Sequence, residues 1–156
     1  MATDFANDMA NDMANDMATG AGAGGAQPDS ADRLLDAAVL GRLPGPGLAP
    51  AACACPALKC CGWVSITQPL GAPLLRCLGT LRQPGCDEPT LDEWPGSRFW
   101  AADTPISPRH FPYNRCSVWA CAACGQGFLQ YTEFGGYYVD HRLRRIDPAR
   151  VVSPAG

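Results

Sequence analysis

The chain has 156 residues, 47% of them hydrophobic, and a formal net charge of −3, which leaves room for one domain with tails. No apolar run approaches the roughly 18 residues that cross a bilayer, so we expect no membrane span. Through Asp36 the net charge is −6, whereas from Ala37 onward it is +3, an excess too small to indicate nucleic-acid binding by itself.

The N-terminal segment is a short repeat. Residues 7–18 are three tandem copies of Asn-Asp-Met-Ala, followed by a Gly/Ala-rich stretch. A helix with this period of four would stack aspartates at i, i+4, where like charges oppose one another, and a short helix nucleates poorly in water. We therefore predict that residues 1–28 form a disordered acidic tail and linker. The alternative is a docking stripe on a partner or on the protein itself, made of Phe5, Met9, Met13 and Met17.

The next segment, residues 29–50, is predicted to form a short helix and a Pro/Gly linker. Asp29 and Ser30 can cap a helix over residues 31–40, and Gly41 with the following prolines ends it. No lysine or arginine precedes Arg33, so the chain lacks the basic start of a secretory signal and we expect a cytoplasmic location.

Residues 51–152 are predicted to form a compact, cysteine-rich domain of the α+β class in which β structure dominates. Short strands are expected at residues 62–67, 74–82 and 117–120. Residues 84–112 are rich in proline and aromatic side chains, so this segment should wrap over a core in an irregular conformation, because prolines cannot serve a central ladder.

A hairpin is the clearest predicted element. Strands over residues 126–133 and 137–145 flank Gly135-Gly136, whose glycines suit the positive φ values of a tight turn. With these two glycines as the central turn residues, Phe134 faces Tyr137. The same register gives the hairpin one more apolar side, with Arg142 and Arg144 pointing away from it.

The nine cysteines favour metal ligands over disulfides, because their number is odd and no secretory signal is expected. Cys121-Ala-Ala-Cys124-Gly125 is a C-x-x-C turn of the kind that aims two sulfurs at one metal ion. With the aromatic residues Phe128 and Tyr131 behind it, this stretch of about thirty residues resembles the second turn of a zinc ribbon. The resemblance implies a zinc-ribbon-like corner and a structural zinc ion held by four thiolates.

The first ribbon turn departs from the expected pattern. Cys55-Pro56 resembles its opening and Cys61-Gly62 its close, but three extra residues separate the cysteines. We expect Cys121 and Cys124 to bind the metal with Cys55 and Cys61, and Cys60 is the next choice. Two alternatives are coordination by Cys53 with Cys55, and a cluster in this region that binds no metal.

Three functions are compatible with these features. The first is a non-enzymatic interaction module with a structural zinc site, whose partner is a protein or a nucleic acid. The second is a thiol–disulfide oxidoreductase that uses Cys121 and Cys124, although the strand after the turn provides no helix dipole to activate the thiol. The third is nucleic-acid binding by the basic end of the hairpin. The candidate partner-binding residues are Arg142, Arg144, Arg145 and Tyr138.

Overall fold

The computed structural model describes residues 30–47, 53–98 and 100–153, so the predicted tail at residues 1–28 lies outside the described residues. Five antiparallel strands form one sheet in the order β1-β5-β4-β3-β2. The strands are β1 (Val64–Ile66), β2 (Leu75–Thr80), β3 (Ser117–Cys121), β4 (Gly127–Phe134) and β5 (Val139–Arg145). The helical elements named in the described ranges are the α-helix α1 (Ala37–Leu40) and short 3-10 turns at Cys55–Leu58, Tyr113–Arg115 and Pro148–Arg150. The predicted β-dominated domain is confirmed.

No helix in these described ranges is long and apolar enough to cross a membrane.

Both faces of the sheet are covered, because apolar side chains alternate along the strands and each face receives one set. On one face, Val118 and Leu129 join the main core. On the other face, Trp119 and Phe128 join a second core. The buried residues of the main core are Leu35, Leu40, Trp63, Leu81, Ile106, Tyr113, Cys116, Val118, Leu129, Tyr131 and Ile146. Those of the second core are Cys55, Cys60, Leu75, Cys121, Phe128 and Leu143.

Arg142 and Arg144 lie on the strand face predicted for them, opposite to the face of Phe128 and Leu143, but that face also packs against a core. Their strand partners are Tyr131 and Leu129, so both guanidinium groups lie on the face of the main core, and Arg144 is only 1% exposed. Arg144 donates hydrogen bonds to the Tyr113 hydroxyl at 2.5 Å and to the carbonyl oxygen of Thr104 at 2.9 Å. Burial lowers the pKa of Arg144, and these acceptors compensate part of the desolvation of its charge.

The hairpin is present, but its predicted register is wrong by two residues. Phe134 faces Val139 instead of Tyr137, and Thr132 faces His141. The connection between β4 and β5 is therefore a longer loop, closed by a hydrogen bond from Gly135 N–H to Tyr138 O at 2.9 Å. A shift of two residues keeps every side chain on its predicted face, because the side-chain period of a strand is two.

The segment before α1 is extended instead of helical. Leu35 N–H donates to Thr80 O at 2.8 Å, and Thr80 N–H donates to Arg33 O at 2.9 Å, so this segment lies along the edge of β2. The predicted helix over residues 31–40 is shortened to α1, which Asp36 caps by accepting a hydrogen bond from Val39 N–H at 3.0 Å. Leu35 and Leu40 are buried in the main core, which fixes this segment to the domain.

The close approach of this segment to β2 requires a glycine, and it gives the first prediction. Gly79 has φ +157°, and a Cβ there would lie 2.3 Å from the carbonyl oxygen of Arg33 and 2.8 Å from Leu35 Cγ. Gly79→Ala should lower the free energy of unfolding by about 1–3 kcal/mol, the usual cost of overpacking, measured by urea denaturation. Gly136→Ala is the matched control, since a Cβ added there would have nothing within 4 Å. Equal stability of the two variants would contradict this packing.

Candidate metal centre

The turn after β3 places Cys121 and Cys124 on one side of the chain. Cys121 N–H donates to Gln126 O at 2.8 Å, and Gly125 N–H donates to Cys121 O at 2.9 Å. Gly125 has φ +79°, a conformation that costs glycine little and other residues more. The chain therefore reverses within the five residues between β3 and β4, and the two sulfurs remain within 4.8 Å of each other.

The second pair of thiols comes from the loop that precedes β1. Cys53 and Cys55 lie two residues apart with their sulfurs separated by 3.4 Å. Pro56 occupies the first turn of the 3-10 helix Cys55–Leu58, where its fixed φ and missing N–H are tolerated. This helix begins at Cys55 and carries the following residues away from the thiols.

The four sulfurs form one cluster across the sequence. The Cys53 sulfur lies 3.5 Å from that of Cys121, and the Cys55 sulfur lies 3.4 Å from that of Cys124. All four sulfurs are within 4.8 Å of one another, and Cys55 and Cys121 are buried. The cluster joins two segments separated by nearly seventy residues, so it closes a long loop of the chain.

These distances fit a metal site better than a disulfide. A disulfide needs sulfurs about 2.05 Å apart, and all nine cysteines, which all lie in the described ranges, are free thiols. A tetrahedral ion with metal–sulfur bonds of about 2.3 Å separates its ligands by about 3.8 Å. The observed separations of 3.4–3.5 Å need only a small expansion, so the four cysteines can hold one metal ion.

The backbone of the turn favours a thiolate at Cys121. Burial opposes ionisation, but the N–H groups of Cys124 and Ala123 offset it and, with the neighbouring thiols, lower the pKa of Cys121 to about 7. Burial raises the pKa of Cys55 and of Cys124, as expected for thiols without a compensating cation. Because metal ligands bind as thiolates, the turn supplies the donor that ionises most readily.

Three of the four predicted ligands meet in this cluster, and the fourth does not. Cys121, Cys124 and Cys55 lie together, but the place predicted for Cys61 is taken by Cys53. Cys61 is exposed and its sulfur accepts a hydrogen bond from Arg145 Nη2 at 3.0 Å. A 3-10 helix rises about 2 Å per residue, so the helical turn after Cys55 moves Cys61 away from the other thiols.

Cys60 also lies outside the four-thiol group, although it packs in the second core. Burial raises the pKa of its thiol to about 11, and Arg145 opposes this shift. The backbone of Cys60 accepts a hydrogen bond from Arg145 N–H at 2.8 Å. This residue therefore connects the cysteine loop to the end of β5.

The sequence contains a signal for Cys53, but it is weak. Cys53-Ala-Cys55 is a C-x-C pair. The zinc-ribbon pattern instead predicts a C-x-x-C pair or a longer spacing, so it does not select Cys53. The proline after Cys55 is the stronger clue, because it favours the start of a helical turn. A helix that starts at Cys55 separates that cysteine from later ones and leaves the preceding cysteine as its neighbour.

The predicted partner-binding residues differ in accessibility. Arg142 is buried, stacks on Trp100 at 3.9 Å from the ring centre, and pairs with Glu133 at 2.9 Å and Asp140 at 2.8 Å. Tyr138 is 55% exposed and donates its hydroxyl to Glu133 at 3.2 Å. Contact of Arg142, Arg144, Arg145 and Tyr138 with a partner stays a prediction, and Tyr138 offers the most exposed side chain for it.

Comparison with known proteins gives no relative from which a role could be transferred. No protein-family model matches the chain, and neither a curated protein nor a solved structure matches it. The function is therefore inferred from the residues of this site.

The choice of Cys53 over Cys61 gives the second prediction. The single variants Cys53→Ser and Cys121→Ser should each lose the bound metal from protein purified under reducing conditions, because each removes one of four ligands. Cys61→Ser should retain it, since that sulfur lies outside the cluster. Native mass spectrometry gives the metal content per chain. Loss of metal from Cys61→Ser with retention in Cys53→Ser would restore the ligand set predicted from sequence.

Proposed function

We propose that the protein is a non-enzymatic interaction module whose fold depends on a structural zinc ion. Zinc would be held by the thiolates of Cys53, Cys55, Cys121 and Cys124 in a corner similar to that of a zinc ribbon. The observation that carries the proposal is the convergence of four sulfurs within 4.8 Å from two distant segments. Reduced cysteines at such a site suit a reducing compartment such as the cytoplasm.

The donor set supports zinc. Four thiolates are soft ligands, and tetrahedral sulfur-only sites in proteins hold zinc or iron–sulfur centres. One ion with bonds of about 2.3 Å fits sulfurs that already lie 3.4–3.5 Å apart. A multi-iron cluster would instead need the four sulfurs to spread around several metal atoms. A single zinc ion therefore demands the smaller rearrangement.

The same donor set supports a structural role. Catalytic zinc sites keep a coordination position for water or substrate, whereas structural sites use four protein ligands. Four cysteines complete the tetrahedron and leave no such position. Zinc would then join the loop before β1 to the turn after β3. Its binding free energy would become part of the folding free energy.

The loop between β4 and β5 is the surface that supports partner binding best. Phe134, Tyr137, Tyr138 and Val139, here named the hairpin tip, are exposed by 55–104%. Contiguous exposed apolar side chains mark interaction sites in soluble proteins. Because Arg142 and Arg144 are buried, two of the three arginines expected to contact phosphates are directed inward, which favours a protein partner over a nucleic acid.

A thiol–disulfide oxidoreductase that uses Cys121 and Cys124 is the second candidate, and the proximity of these two thiols is what favours it. Their sulfurs lie within 4.8 Å of each other, close enough to form a disulfide after a movement of the turn. The two thiols would lose two electrons and two protons to a disulfide substrate, which becomes two thiols. Incubation of metal-free protein with oxidised glutathione, followed by peptide mapping, tests for reversible formation of that bond.

Removal of the metal gives the third prediction. Structural zinc sites contribute about 10–16 kcal/mol in zinc-finger peptides, and domains are stable by only about 5–15 kcal/mol in total. A strong chelator should therefore abolish the cooperative thermal unfolding transition of the reduced protein, as followed by circular dichroism, and added zinc should restore it.

Cys86→Ser is the matched control for this experiment, because Cys86 lies outside the four-thiol cluster. This variant should respond to the chelator as the wild type does, whereas Cys124→Ser should not respond. A chelated protein that has lost its metal and still unfolds at the original temperature would refute the structural role. Reversible oxidation in that folded, metal-free protein would then favour the oxidoreductase.

A further inference from the structure

A groove remains at one end of the sheet, beside the end of β4. β3 begins at Ser117, which pairs with Gln130, so among the described strands the part of β4 beyond Gln130 has a neighbour only on the β5 side. The space beside it is a groove of about 320 Å³, named here the end groove. Residues that line it include Thr80, Arg115, Ser117, Trp119, Thr132 and His141.

Exposed apolar side chains extend the end groove along the hairpin. Phe134 lies two residues beyond Thr132 on the same face of β4, and it faces Val139 on β5. Phe134 is 79% exposed and Val139 is 57% exposed. A strand with a free edge and exposed apolar side chains is a template for pairing with another extended segment.

The described chain begins beside this groove. Arg33 and Leu35 exchange backbone hydrogen bonds with Thr80, and Thr80 also lines the end groove. Ala31 and Asp32 line a neighbouring depression that shares Thr80 with it. Twenty-nine residues precede Ser30, and ten of them can span up to about 33–36 Å. The N-terminal segment can therefore reach the end groove of its own chain.

The chemistry of that segment complements the groove. All four methionines of the chain lie within residues 1–17, and methionine sulfur makes favourable contacts with aromatic rings. The segment before Ser30 carries five aspartates and no lysine or arginine. The segment thus offers apolar groups to the rings of Phe134 and Trp119.

The period of the repeat suits an extended partner strand. Methionine recurs every four residues and aspartate immediately precedes it. Because successive side chains of a strand point to opposite faces, an extended strand of this sequence has all its methionines on one side and its aspartates on the other. Such a strand can place its methionines against the rings, with its aspartates on the opposite side of the strand.

We propose that the Asn-Asp-Met-Ala repeat of residues 7–18 binds in the end groove of the same chain, with its methionines against Phe134 and Trp119. This binding does not rest on the metal site or on the proposed interaction function. It covers the free edge of β4 and part of the hairpin tip, so a partner of that surface has to displace the repeat.

The test is NMR of the full-length protein labelled with ¹³C only at methionine methyl groups. All labelled methyls lie in residues 1–17, so every signal reports on this segment. We expect nuclear Overhauser effects from methionine methyls to the ring protons of Phe134 and Trp119, at any protein concentration. Phe134→Ser should abolish these effects, and Leu91→Ser should preserve them, since Leu91 is 71% exposed and does not line the end groove.

Two results would overturn the proposal. The first is a set of methionine methyl signals that are sharp, have the chemical shifts of an unstructured peptide and show no nuclear Overhauser effect to any ring. This result would show that the repeat does not bind. The second is a set of nuclear Overhauser effects between chains, seen in a mixture of labelled and unlabelled protein and lost on dilution. This result would show that a second copy supplies the repeat. Met9→Ser, Met13→Ser and Met17→Ser combined should leave the thermal unfolding temperature nearly unchanged while shifting the groove resonances.

Discussion

The convergence of four thiols is the constraint on which the rest of this structure depends. The loop that holds Cys53 and Cys55 has a 3-10 turn as its regular structure, and a hydrogen bond from Arg145 N–H to Cys60 O joins the later part of this loop to β5. Its attachment to the turn after β3 runs through the sulfurs. A small domain that cannot bury enough apolar surface commonly uses a metal ion in this way.

The sheet supplies the rigid frame for that corner. Cys121 ends β3, where its neighbour on β2 is Leu75, and Arg145 at the end of β5 contacts both Cys60 and Cys61. Three strand ends therefore meet beside the thiols. The opposite end of the sheet is open, with the end groove and the hairpin tip. The architecture separates a closed, thiol-rich end from an open, aromatic end that can meet another segment or protein.

Much of this architecture follows from local sequence patterns, and the errors have local physical causes. Glycines and alternating residues predict the β4–β5 hairpin, but two adjacent glycines do not decide between a two-residue turn and a longer loop. The capping residues Asp29 and Ser30 predict a helix, yet backbone hydrogen bonds with Thr80 hold the next residues extended. Arg142 and Arg144 lie on the face of β5 that the alternation of side chains along a strand predicts. Their burial could not be predicted, because it depends on Tyr113, Trp100 and Thr104 from a distant irregular segment.

The cluster of four cysteines that could hold a metal ion was predictable to the extent that spacing alone determines it. The C-x-x-C turn identifies Cys121 and Cys124, whereas the choice among the four cysteines of residues 53–61 depends on where a short helix begins. X-ray absorption at the zinc edge, on reduced protein purified without added metal, tests the central claim most directly. A structural zinc ion held by the four thiolates predicts a single shell of four sulfurs at about 2.3 Å. Protein without zinc, or a shell containing nitrogen or oxygen ligands, would contradict it.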